Sequence, residues 1–122
     1  MLTEIIATNI EEAINAERYG ADRLELIHDF ELGGLSPQLE LAREVCTAVN
    51  IPVNVMVRPH GENFIYTSQH MTTILHEIDY LLSNTKVSSI VFGSLTENNV
   101  INIKQLEEVI RLLENSAVGL TF

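Results

Sequence analysis

Five short runs of β-branched and aliphatic residues alternate along the chain with four longer segments whose apolar positions recur at helical spacing. The runs cover residues 3–7, 23–27, 53–57, 87–92 and 118–122; the helical segments cover 10–19, 37–49, 68–82 and 103–113. In the last of these, Ile103, Leu106, Val109, Ile110 and Leu113 fall on one face, and Lys104, Glu107, Glu108 and Arg111 on the other. Helix starts are marked by Asn9 ahead of Glu12, Ser36 ahead of Pro37 and Ser68 ahead of Met71. Such residues satisfy or dispense with the free amides of a first turn. Gly20 stands where the first helix should close in a left-handed residue.

Strands joined by single helices and short connections pair in parallel through right-handed crossovers, so the fold class is α/β. Strand starts near residues 3, 23, 53, 87 and 118 suit an open doubly wound sheet or part of a closed eightfold barrel. No linker or composition break divides the chain, and residues 1–122 read as a single, partial barrel domain. The final run ends at Thr121-Phe122 as a strand with no helix to cover it. That points to a piece of a barrel, the first four βα units plus a fifth strand, where a whole barrel has about 250 residues. A complete five-stranded open sheet is the rival.

Parallel strands covered by helices are apolar on both faces, so polar residues inside them need a reason. Here they follow a two-residue period. Asn54, Met56 and Arg58 share one face of the third strand, opposite Val53, Val55 and Val57. Arg23, Glu25 and Ile27 alternate with Leu24 and Leu26, and Glu4, Ile6 and Thr8 with Ile5 and Ala7. The polar parity should face a barrel interior or a crevice, with Arg58 bridging Glu4 and Glu25 from neighbouring strands. Two readings fit: a pocket floor that orients a small ligand or supplies acid and base groups, and a buried charge network that only fills the interior.

Function on such scaffolds gathers just past the strand ends. His28 and His60 fall on adjacent loops there and are candidate pocket residues, although two histidines alone make no metal site. Gly33-Gly34, ahead of a helix start, either offers free amides to an anion or makes a tight turn. Gly93 reads as a close backbone approach. His70 and His76 read as surface residues, and Cys46 as a buried core thiol in the set Leu39, Ala42, Val45, Val49. No metal ligand set and no catalytic residue is assigned.

Composition narrows the partners. With 46% hydrophobic and 20% charged residues the 122-residue chain is globular, and its net charge of −10 disfavours nucleic acid and anionic membranes. No apolar stretch reaches the roughly 20 residues of a membrane span, and Met1-Leu2-Thr3-Glu4 is read as lacking a basic leader. One cysteine excludes an internal disulfide and fits a reducing cytoplasm.

Four stretches together carry a family likeness: Gly20-Ala21-Asp22-Arg23-Leu24-Glu25-Leu26, Gly33-Gly34-Leu35-Ser36-Pro37, Pro52 through Pro59, and Val91-Phe92-Gly93. In this order and spacing the chain resembles the CutC family of copper homeostasis proteins over essentially its whole length. The resemblance implies a TIM barrel of about twice this length, with Thr121-Phe122 marking a cut inside the fifth strand. It implies a cytoplasmic protein involved in copper tolerance, with copper(I) as candidate ligand through cysteines of the first two strands. Those positions correspond here to Ile6 and Ile27, which cannot ligate a metal. Glu4, Arg23, Glu25, Asn54, Met56 and Arg58 carry over. The family's acidic residue before the paired glycines is Leu32 here, and its second basic residue after Arg58-Pro59 is His60.

Two functions follow as expectations. The first is copper homeostasis of the CutC type, without copper bound at the family's positions. The second is an enzyme whose Glu/Arg pocket acts on a small anionic or phosphorylated metabolite. A partial barrel leaves two sheet edges open, so a homodimer is expected in either case.

Overall fold

A computed structural model describes residues 1–122. The elements run β1 (Glu4–Ala7), α1 (Ile10–Arg18), β2 (Arg23–Leu26), α2 (Leu39–Ala48), β3 (Val53–Met56), α3 (Ser68–Asn84), β4 (Ser89–Val91), α4 (Ile103–Leu113) and β5 (Gly119–Thr121). A single 3-10 turn at Phe30–Leu32 follows β2.

All strands are parallel and lie in sequence order, β1-β2-β3-β4-β5. A doubly wound sheet reverses its strand order part-way, and this one does not. The sheet is therefore a sector of a (βα) barrel, and the open-sheet rival falls.

Each helix packs one apolar face onto the same side of the sheet. Ala7, Leu24, Leu26, Val53, Val55 and Ile90 meet Ala13, Val45, Ile74, Ile78, Leu81 and Val109 in one continuous core. Cys46 belongs to it, with 4% of its surface exposed, and burial pushes its thiol pKa up. The outermost elements keep apolar residues in solvent: Ile5 and Ile14 at one end, Ile103 and Ile110 at the other.

Local chemistry explains the boundaries. Asn9 caps α1 by accepting from the Glu12 amide at 2.8 Å, and Glu12 returns the contact by accepting from Thr8. Gly20 takes φ +96°, the left-handed closure expected of it. Two starts differ from the sequence reading. The cap of α3 is Thr67, not Ser68: Thr67 Oγ1 accepts from the His70 amide, and His70 Nδ1 accepts from the Thr67 amide, each at 3.1 Å. Ser36 does not cap α2, which begins at Leu39 after an uncapped Gln38, because its hydroxyl is committed elsewhere.

Candidate functional site

The helix-free face of the sheet carries the polar parity, and register sets its rows. Ile6, Glu25, Asn54, Ser89 and Gly119 stand abreast across the five strands. One step toward the amino ends, Glu4 pairs with Arg23.

These residues form one network at the floor of the sheet. The Arg23 guanidinium is ion-paired with the Glu4 carboxylate. Asn54, 7% exposed, donates from Nδ2 to Glu4 Oε2 at 3.0 Å and accepts from Ser89 Oγ at 2.7 Å. Glu25 stands beside them without a hydrogen-bond partner. Burial, reinforced by the Glu4 charge, pushes its pKa above the ordinary glutamate range. Glu4, Arg23, Glu25 and Asn54 therefore gather as the two-residue period requires.

Arg58 does not join them. It lies four residues beyond Asn54 along the strand direction, about 13 Å at 3.3 Å per residue. Its Nη1 instead donates to the Leu32 and Gly34 carbonyls at 3.1 and 3.3 Å, and Phe64 stacks over the guanidinium at 4.3 Å. The expected bridge between Glu4 and Glu25 is thus absent: Glu4 takes Arg23 as its ion-pair partner, and Glu25 is in no ion pair.

A second polar group surrounds Arg58 at the carboxyl ends of the strands. Ser36 Oγ accepts from the Arg58 amide and donates to Glu77 Oε2, both at 2.8 Å, tying the β2–α2 loop to β3 and α3. Burial raises the Glu77 pKa, against the Ser36 bond and the nearby His76. The His60 ring lies 4.7 Å from that of His70 and 5.4 Å from that of Tyr66, centroid to centroid. His28 takes no part in this cluster; its backbone makes an isolated bridge to Leu35. His70, expected at the surface, is half-buried against His60, whereas His76 is exposed as expected.

The paired glycines serve this group in another way than as an anion cradle. Their amides are used within the turn, Gly33 to the Phe30 carbonyl and Gly34 to that of Asp29. Gly33, at φ +84°, has Arg58 Nη1 3.2 Å from where a Cβ would stand. The turn is tight so that the guanidinium can lie against it. Gly93 has nothing within 4 Å of its missing Cβ, so no close approach explains it.

Sequence reasoning missed Glu77, Ser89, Tyr66 and His70. Glu77 left a signal, an acid within the apolar stripe Ile74, Ile78, Leu81. Tyr66 and His70 left none, since loop conformation alone brings them to His60.

The CutC family model matches residues 1–122. The chain belongs to the CutC family. Among relatives, the human "Copper homeostasis protein cutC homolog" is 38% identical over 101 residues, 83% of this chain and 37% of that one. A family protein CutC of Pasteurella multocida is 34% identical over 122 residues, the whole of this chain and 49% of its own. The crystal structure of CutC from Streptococcus agalactiae superposes with a TM-score of 0.87 at 24% identity, covering 98% of this chain and 58% of that one. These two relatives are thus matched over less than half their length, in keeping with a partial barrel.

Copper suits this CutC chain poorly at the positions the resemblance singles out. Ile6 and Ile27 face inward from β1 and just past β2 without a donor atom, and Met56 on β3, one residue past the Leu26–Val55 pair as Ile27 is, is a lone thioether next to Ile27 only. Cys46 lies among the core residues on the helix side. Copper(I) selects sulfur, and no pair of sulfur ligands faces the interior.

Proposed function

We propose that the chain serves copper homeostasis in the cytoplasm and contributes to copper tolerance without holding copper(I) on the inner face of its own strands. What carries the reading is family membership combined with Ile6 and Ile27 where thiolates would be needed. No helix is long and apolar enough to cross a membrane. The exposed apolar residues Ile5, Ile14, Ile103 and Ile110 at the two open ends support a homodimer as the working form.

The test pairs a copper(I) titration of the reduced chain with growth of a deletion strain under copper, with and without the gene restored. Copper sensitivity relieved by the gene, together with no stoichiometric copper(I) uptake, is the expected outcome. Tight uptake, or growth indifferent to the gene, overturns it.

A further inference from the structure

In the polar group at the carboxyl end of β3 the one carboxylate, Glu77, is engaged by the Ser36 hydroxyl and is not ion-paired with Arg58. Arg58 is 8% exposed, and its Nε has no hydrogen-bond partner. The ion pairs of the protein are Arg23–Glu4, Arg43–Glu40 and Arg111–Glu107. Arg58 is in none of them, although the chain carries 17 acidic residues. A buried cation held by two carbonyls and an aromatic face lacks the counter-charge that such groups ordinarily have.

Its neighbours add donors. Tyr66 is 6% exposed, and its hydroxyl likewise has no hydrogen-bond partner. The guanidinium lies close enough to oppose the rise that burial causes in the phenol's pKa. His60 Nδ1 accepts from the Glu62 amide and His70 Nδ1 from the Thr67 amide, which leaves each ring proton on Nε2. Neither Nε2 donates to a protein group. Phe64 occupies one face of the guanidinium, so the free Arg58 donors lie along its edge.

We propose that Arg58, Tyr66, His60 and His70 form a binding site for a small oxyanion, the carboxylate or phosphate group of a metabolite. The anion supplies the missing counter-charge to Arg58 and accepts from Nε, the Tyr66 hydroxyl and the histidine Nε2 protons. Phe64, 41% exposed on the β3–α3 loop, stays over the guanidinium face while the anion meets the edge. The position agrees with the end of the strands at which barrel scaffolds place their ligands. The site shares no residue with the inner-face positions weighed for copper, so either reading can fail alone.

Thermal unfolding of the full chain in rising inorganic phosphate, in acetate and in chloride at matched ionic strength tests it, with calorimetric titration of whichever anion stabilises. The expected result is a saturable rise in Tm with phosphate or acetate but not chloride; the one saturating at lower concentration identifies the group. Tyr66→Phe removes a hydroxyl that donates to no protein group, so it should keep the fold. It should weaken anion binding about tenfold, the worth of one hydrogen bond to a charged acceptor. His60→Gln should weaken it similarly, and Arg58→Lys should abolish it. If Arg58→Lys does not fold, the other two variants decide. A chloride series that matches the oxyanions, or native affinity in both Tyr66→Phe and His60→Gln, overturns the site.

Discussion

Asn54 reaches across the intervening strand to donate to Glu4 Oε2 at 3.0 Å while its own Oδ1 accepts from Ser89. One buried amide thus links residues of three strands, β1, β3 and β4, and no other side chain of its size offers both a donor and an acceptor there. Asn54→Leu should cost about 1–3 kcal/mol, because it leaves the Ser89 hydroxyl and the Glu4 carboxylate short of a partner. Asn54→Asp places a third carboxylate beside Glu4 and Glu25. It should be worse than Leu at pH 7 and recover part of the loss toward pH 4. Urea unfolding at the two pH values checks both, and an Asp variant as stable as native at pH 7 would contradict the network.

Glu25 gives the floor its own pH dependence. Its pKa is raised in the folded chain, by burial first and the Glu4 charge second. Between the unfolded value, about 4.3, and the folded one, the native state holds more protons than the unfolded chain. Glu25 therefore favours the fold at low pH, and that contribution is lost as pH rises through the folded pKa. Glu25 has no hydrogen-bond partner to lose, so Glu25→Gln should raise stability at pH 7 and match the native chain near pH 4. Asp22, lowered chiefly by the Thr3 amide, acts in the opposite sense. For that reason the native-minus-variant difference in urea midpoint is the quantity to follow from pH 4 to 8.

The helices and strands were legible because periods of 3.6 and 2 separate cleanly in this chain, and α4 follows its apolar stripe to the residue, Ile103–Leu113. Period alone also brought Glu4, Glu25 and Asn54 to one face. It could not say how far along the strand each sits, and Arg58 was placed with the carboxylates when it belongs at the other end. The partners of Arg58 are backbone carbonyls set by the φ values of Gly33 and Gly34, which no side-chain pattern encodes. Ser36 misled for a related reason. A serine ahead of proline reads as a helix cap, but its hydroxyl finds Arg58 and Glu77 through contacts 22 and 41 residues away in the chain.

Gly33 and Gly93 separate a required glycine from one the structure leaves free. At Gly33, alanine meets a left-handed backbone and Arg58 Nη1 at 3.2 Å. The expected loss is about 1–2 kcal/mol from the backbone alone, more if the guanidinium must leave the Leu32 and Gly34 carbonyls. Gly93→Ala enters open space and should stay within about 0.5 kcal/mol of native. Thermal or urea unfolding of the two variants checks the contrast, and equal losses would refute it.

Ile6 and Ile27 offer the sharpest experiment on copper. Both face inward, Ile6 beside Glu25 in register and Ile27 one period further along the neighbouring strand. Replacing both with cysteine gives the inner face two thiols, the one at position 27 next to the Met56 thioether, a donor set of the kind copper(I) prefers. Ile27 is 3% exposed and packs under Gly34, so the smaller cysteine leaves a cavity there and costs some stability. Ile6, with 44% of its surface exposed, should tolerate the change. The double variant should take up copper(I) under reducing conditions, measured by competition with a chromogenic chelator, and metal should restore the stability lost at Ile27. Cys46→Ser in the same background should bind equally well, because that thiol is on the other side of the sheet. Uptake by the native chain equal to that of the double variant would place copper elsewhere and remove the argument from the two isoleucines.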